Sequence, residues 1–279
     1  MDRAVQQSDA TPQQSRALLL MLTAIGIAPI TDITDYIPKI QGRLRLAGYP
    51  INEASRSDEI FISPDGVRIE NSIEWHFQNS GRNFSIRVSA SRFVIETTDY
   101  QGFEDFTNKV REILAILHEV LGVMGVQGIG LRYVNLVQPR AGETFRTYLH
   151  DRLSGLDDDF LELSESMFSA AFVGKTDEGQ LSIRIHEAPL PTDGAELMRL
   201  QVPADLATNM MIDGDNLFIP GLRYRLLDLD HRSAVISEDF AVPRILTALE
   251  RLHETIGRAF ESSLKAGAYA KWSASMREG

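Results

Sequence analysis

The chain has 279 residues, 43% hydrophobic and 24% charged, an ordinary globular composition long enough for one large domain or two small ones. It has no cysteine, which excludes disulfides and thiolate metal sites and fits a reducing cytoplasm. The 28 Lys and Arg stand against 39 Asp and Glu, a net charge of −11, so a phosphate backbone is repelled unless a local basic face forms, and no basic run supplies one.

Residues 1–15 are rich in Gln, Ser and Asp and are expected to be a disordered tail. The most apolar stretch, "ALLLMLTAIGIAPI" (17–30), is shorter than the roughly 18 residues of a membrane span. A basic residue, Arg16, precedes it as in a signal peptide, but Asp2 and Asp9 do not suit that role, and we read a buried strand or helix start. Tyr36, Ile37, Ile40 and Leu44 recur at helical spacing over 34–47, with Thr34 or Asp35 as cap and Pro38 in the first turn. "GYP" (48–50) ends that helix. Alternating apolar residues then predict strands at 66–79, 84–90 and 92–99, with a tight reversal at Ala90-Ser91. Phe103, Phe106, Val110, Leu114, Leu117 and Leu121 predict a helix closed by Gly122 and Gly125, and a strand over 129–138 runs up to Pro139.

The second half predicts a helix near 143–153, strands at 166–174, 180–187 and 196–202, and a turn over Gly174–Gly179. "DGDN" (213–216) signals a loop, and "GLRYRLLDLDHRSA" (221–234) a long strand. The last helix, 243–264, starts at Pro243 and carries Ile245, Leu249, Leu252, Ile256 and Phe260 on one face. "LAILHEVLG" (114–122) and "LERLHETIG" (249–257) match at Leu, Leu-His-Glu and Gly, offset by 253 − 118 = 135 residues. Each helix follows a run of strands, so the expectation is a duplicated strands-then-helix unit with pseudo-twofold symmetry.

Three segments carry a resemblance: "APITDITDYIPKIQGRLRLAGYP" (28–50), "GLRYVNLVQP" (130–139) and "LLDLD…LERLH…AF" (226–260). On them the chain resembles a sporadically distributed family of uncharacterised bacterial proteins of similar length. Its most specific element is Arg-Tyr-x-Asn, and Val134 stands where that family commonly has isoleucine or a similar residue. The resemblance spans most of the chain and implies no established activity.

The stretch "GIGLRYVNLV" (128–137) sets Arg132 and Asn135 in an apolar run. Alternation places Ile129, Leu131, Tyr133 and Asn135 on one face and Gly130, Arg132, Val134 and Leu136 on the other, so Arg132 and Asn135 do not form one compact pair. A buried arginine needs a carboxylate, and Asp228, Asp230 and Glu96 are the candidates. We read Arg132 as half of a structural ion pair, with a clamp on an anionic ligand as the alternative. Asn135 would satisfy backbone near Pro139. Asp228 and Asp230 alone are too little for a metal site, and no catalytic residue, metal or cofactor is assigned. No His-x-x-x-His, Gly-x-Ser-x-Gly, phosphate loop or dinucleotide fingerprint is present, and "DDD" (157–159) lacks the spacing of a calcium loop. His118 and His253 sit at matching positions of the two helices, which favours packing or capping over catalysis.

These readings give an α+β fold of two similar antiparallel sheets, each packed on one long helix, with halves at 16–140 and 141–279. The expected function is a non-enzymatic cytoplasmic interaction or regulatory module that recognises a protein partner, with no nucleic acid and no membrane span. The alternative is a small apolar-ligand or lipid-binding module. Its helix-over-sheet cavity would be walled by aromatics and one arginine, with hydrolysis by Asp228 or Asp230 as a further possibility.

Overall fold

The computed structural model describes residues 18–63, 66–123, 125–155, 167–187, 210–212, 219, 221–234 and 238–268, with the backbone alone over 56–72. The expectations for 1–15, 157–159, 196–202 and 213–216 lie outside the described residues.

The elements follow in order β1 (Leu18–Ile27), α1 (Ile33–Leu46), β2 (Ile51–Ser63), β3 (Gly66–Gln78), β4 (Phe84–Val88), β5 (Arg92–Thr97), α2 (Phe103–Leu121) and β6 (Gly125–Val137). After two short 3-10 turns come β7 (Ser169–Lys175), β8 (Gly179–Glu187), β9 (Arg225–Ser233), β10 (Glu238–Asp239) and α3 (Val242–Ser263). All strand pairings are antiparallel, and the sheet runs β2-β3-β4-β5-β1-β6-β9-β8-β7, with β10 beside β6.

The class is α+β, but the expectation of two sheets is corrected to one. The apolar stretch at 18–27 is a central strand, paired with β5 on one side and with β6 on the other, and the pairing of β6 with β9 joins the half at 16–140 to the half at 141–279. Alternation tells which side chains share a face and says nothing about which strand lies alongside. The helix layer also differs, because α1 joins α2 and α3. Ile33, Ile37, Ile40 and Leu44 of α1 share one buried cluster with Phe106, Val110, Leu114 and Leu117 of α2 and with Ile245, Leu249, Leu252 and Ile256 of α3. The three helices cover the same face of the sheet. On the opposite face, helix-free among the described residues, lies a smaller cluster built from Leu19, Leu20, Val134, Leu136, Tyr224 and Leu226.

Local chemistry sets the element ends. α2 stops at Gly122, whose left-handed φ of 61° lets its N–H reach the His118 carbonyl. α3 begins with Pro243 in its first turn, where a missing N–H costs no helical bond. In α1 the capping position is Asp32, which makes no side-chain cap bond, and Pro38 falls in the second turn. β2 was not read from the sequence; its first residues, "INEAS", are mostly polar or small and weak in strand preference, and β3 supplies the pairing. The helix expected near 143–153 is instead two 3-10 turns, Phe145–Thr147 and Asp151–Leu153. Thr144 and Thr147 close the first with reciprocal side-chain caps, and His150 caps the second, which leaves no continuous helix.

Candidate functional site

Arg132 lies on the helix-free face, because its neighbours Leu131 and Tyr133 turn into the core beneath the helices. It is 7% exposed. Its Nε donates to Asp228 Oδ1 at 2.7 Å and its Nη2 to Asp228 Oδ2 at 2.7 Å, a two-pronged contact that holds both groups in one plane. In strict register Arg132 sits opposite Asp230, and Asp228 opposite Val134, so the ion pair is diagonal across β6 and β9. Glu96, the third candidate partner, lies on the far side of β1 and pairs with Arg87 instead.

Two arginines absent from the sequence reading complete the network. Arg184 of β8 donates to Asp228 Oδ2 at 3.3 Å and to Asp230 Oδ2 at 3.2 Å, and Arg232 holds Asp230 at 2.8 Å. His186 Nε2 stands 3.7 Å from Asp228 Oδ2. The signal for Arg184 was the alternation of "LSIRIHE", which turns Ser182, Arg184 and His186 to one side while Leu181, Ile183 and Ile185 enter the core. Asp228 and Asp230 are 0% and 4% exposed and each engages two guanidinium groups. Carboxylates so enclosed and paired are poorly placed to move a proton to substrate or to bind a hard cation. Among the described residues no group of three His, Asp or Glu side chains could hold a metal ion.

Asn135 turns to the helix side and donates to the Leu227 carbonyl at 3.4 Å. Tyr133 is buried on that side, its ring edge-on to Tyr100 at 6.0 Å, its hydroxyl hydrogen-bonded to His253 Nδ1 at 2.9 Å. Burial raises the Tyr133 hydroxyl well above the usual tyrosine range, helped by Tyr100, and pushes Tyr100 up to about 12. Burial alone lowers the His253 imidazole to about 4, so the ring is neutral at pH 7. His253 stacks on Phe103, at the start of α2, at 3.9 Å and 7° between planes. His118 of α2 stacks in turn on Phe240, just before α3, at 4.9 Å and 8°. The two matching histidines thus lie flat on aromatic rings brought by the other helix, and neither caps a helix end.

The first half of the helix-free face is charged as well. Arg87 reaches Glu74 at 3.2 Å and Glu96 at 3.3 Å, Arg92 reaches Glu74 at 3.5 Å, and Arg82 reaches Glu53 at 2.8 Å. Arg82, Arg87 and Arg92 therefore make no unopposed basic patch, because acids from β2, β3 and β5 lie among them. Ser55 Oγ lies 2.9 Å from His76 Nε2, but Glu74 approaches the same nitrogen at 3.5 Å. A hydrolytic relay needs the carboxylate on the other ring nitrogen, so this contact is no Ser-His-acid triad.

A cleft of about 520 Å³ opens beside the N-terminal half of α3. Val126, Ile129, Ile245 and Leu252 form its floor, and Asp177, Glu178, Glu238, Asp239, Arg244 and Arg251 its rim. Arg132, Asp228 and Asp230 do not line it, since they point to the opposite face of the sheet. No aromatic residue is among those lining this cleft, and Arg132 is not either, because period-two alternation sends its side chain away from the helices.

A second buried arginine, also unread from the sequence, holds the connection between the halves. Arg225 is 3% exposed, lies 3.8 Å over the Phe145 ring and 4.8 Å from the Phe168 ring, and donates to Glu187 at 2.8 Å and to the Ser154 carbonyl. No protein-family model matches the chain, and no curated protein matches it.

Proposed function

We propose that the chain is a non-enzymatic cytoplasmic interaction module, and that its protein partner adds an extended segment to the outer edge of β7. The observation that carries this reading is the state of that strand. β7 pairs with β8 through all seven residues without a bulge and ends the sheet. Natural edges are blunted by proline, inward charge or a bulge, and between Ala170 and Gly174 this strand has none of these. Of the six large hydrophobic side chains exposed among the described residues, Met167, Phe172 and Val173 cluster here, at 61%, 60% and 56%. Phe172 and Val173 project to opposite faces, as a strand inserted beside β7 would require. Pairing with a second copy would bring two chains of net charge −11 together, which favours a different protein, neutral or basic, as occupant. The absence of cysteine fits the compartment.

The same reading takes the two halves as copies of one unit. Such copies would begin at β1 and at β6 rather than at 141: β5, beside β1, precedes α2, and β9, beside β6, precedes α3 with β10 between them. The 135-residue offset carries 92–97 onto 227–232 inside β9, and His118 onto His253. It does not carry β4, because 84–88 falls on 219–223, outside any described strand, so any duplication has since gained or lost residues between strands.

The test is native capture with the tagged full chain, followed by cross-linking from Lys175 at the end of β7. The expected result is a protein partner that cross-links there and is lost with Phe172→Lys, while the melting temperature is unchanged. Capture that survives Phe172→Lys refutes the edge, and a native mass of two chains refutes the choice of occupant. The cleft beside α3 supports a second reading, a small-ligand module. A mass increment on the freshly isolated chain that disappears on denaturation, with no captured protein, would favour it.

A further inference from the structure

One register row crosses all nine strands of the helix-free face: Ile51, Gln78, Ser85, Glu96, Leu22, Arg132, Asp230, Ser182 and Val173. Arg132, on this row, makes its two-pronged ion pair one step off it, with Asp228. In the first half stand Gln78 and Ser85, directly opposite each other on β3 and β4 and only 1% and 0% exposed. Gln78 Nε2 and Ser85 Oγ have no hydrogen-bond partner among the described residues. Two positions along β4, the Nε of Arg87 is likewise buried and unpartnered. Buried polar side chains are nearly always hydrogen-bonded, and one left unpaired keeps its full desolvation penalty. Three in one small area, on the same face of two neighbouring strands, are therefore better explained by a shared partner than by three separate penalties.

We infer that this part of the sheet is an internal binding site for an electrically neutral oxygen acceptor. Each of the three groups offers a hydrogen: an amide N–H, a hydroxyl and a guanidinium N–H. What they hold must accept. It is not an anion, because the remaining nitrogens of Arg87 are committed to Glu74 and Glu96, whose carboxylates would repel one. The site is closed to solvent at Gln78 and Ser85, so the occupant is small. Strands lie about 4.7–4.9 Å apart, and one oxygen midway between Gln78 and Ser85 can accept from both at ordinary distances of about 2.7–3.2 Å. That oxygen belongs either to an internal water or to the carbonyl or hydroxyl of a small neutral molecule. This inference does not depend on the reading of β7.

Ser85→Ala and Ser85→Val test it. If the hydroxyl holds a bridging oxygen, both variants lose a bond and leave Gln78 further from satisfied. The melting temperature should then fall by roughly 2–4 °C in each. If the hydroxyl is simply unpaired, removing it relieves a penalty, and Val, the better strand former, should raise the melting temperature most. An unchanged or raised value in either variant overturns the inference. A crystal structure of the unaltered chain gives an independent reading: an ordered oxygen within hydrogen-bond reach of both Ser85 Oγ and Gln78 Nε2 supports the site, and its absence from clear density overturns it. A mass increment retained under native conditions assigns that oxygen to a small molecule, and an unaltered mass assigns it to water.

Discussion

Replacing Arg132 by Met tests whether the Arg132–Asp228 pair is a structural strut. Methionine keeps an apolar stem opposite Leu22 in the register and removes the guanidinium. What is lost is the two-pronged contact at 2.7 and 2.7 Å with Asp228, a carboxylate that is 0% exposed. Breaking a buried pair on one side costs about 3–5 kcal/mol, because the remaining charge can neither reach water nor find a new partner. Here Arg184 stays 3.3 Å from Asp228 Oδ2, and its side chain is 24% exposed, so it has room to move closer. That places the expected loss near the lower end, about 3 kcal/mol. Domains have about 5–15 kcal/mol in total, so the variant should fold and show a clearly lower urea midpoint with an unchanged slope. A further change of Asp228 to Leu should recover part of the loss, since no carboxylate would then be stranded. If Arg132→Met stays within about 1 kcal/mol of the parent, the strut reading fails and the anion clamp gains.

Three other outcomes follow from the same coordinates. Arg225→Lys keeps the charge but loses the planar group lying over Phe145 and its fixed bonds to Glu187 and Ser154; denaturant titration should show a loss of about 1–3 kcal/mol. Gly179→Ala would set a Cβ 2.1 Å from the Arg232 carbonyl oxygen and 2.6 Å from the Ala234 nitrogen, both backbone atoms, and should cost about 1–3 kcal/mol in the same assay. His253 is neutral in the fold down to about pH 4, whereas an unfolded imidazole takes up its proton near 6.5. Its contribution to stability is thus complete above pH 6.5 and is lost as the pH falls toward 4, on the order of 3 kcal/mol. His253→Phe should flatten that part of the stability–pH curve, and an unaltered slope would show that the ring titrates normally in the fold.

The parts of the architecture that could be read from the sequence are those in which one period dominates. Phe106, Val110, Leu114 and Leu117 announce α2, and Ile245, Leu249, Leu252 and Ile256 announce α3, because each set lies on one side of a 3.6-residue turn and is buried on that side. Strands β3 to β6 and β8 were visible through alternation. β2 was not, since a strand whose first residues are polar is held by its neighbour and not by its own apolar face. The greater error concerned pairing. Nothing in "LLLMLTAIGI" says that its two edges meet β5 and β6, and nothing in "GLRYVNLV" says that its free edge meets β9, the pairing that turns two sheets into one.

The candidate site shows the same division between what is local and what is not. The alternation of "GLRYVNLV" fixed the opposite directions of Arg132 and Asn135, a property of a single strand. That Arg132 meets Asp228 diagonally and not Asp230 across the ladder depends on side-chain reach between strands, which no pattern along one strand contains. Arg184 and Arg232 were missed for a related reason: an arginine two residues from a histidine or an aspartate looks like an ordinary solvated position until the strand beside it is known. The consequence is chemical. Two aspartates taken as a free pair could serve as acid and base, but with Arg132, Arg184 and Arg232 gathered round them they become the anionic half of a five-residue lattice of alternating charge. Such a lattice favours one register of β6, β8 and β9, because a two-residue slip of β9 would set Arg232 opposite Arg132 in one direction and Leu226 opposite Arg184 in the other. In that arrangement the charges specify one alignment of β6, β8 and β9, while Phe172 and Val173 stay exposed on β7, the strand beyond β8 at the end of the sheet.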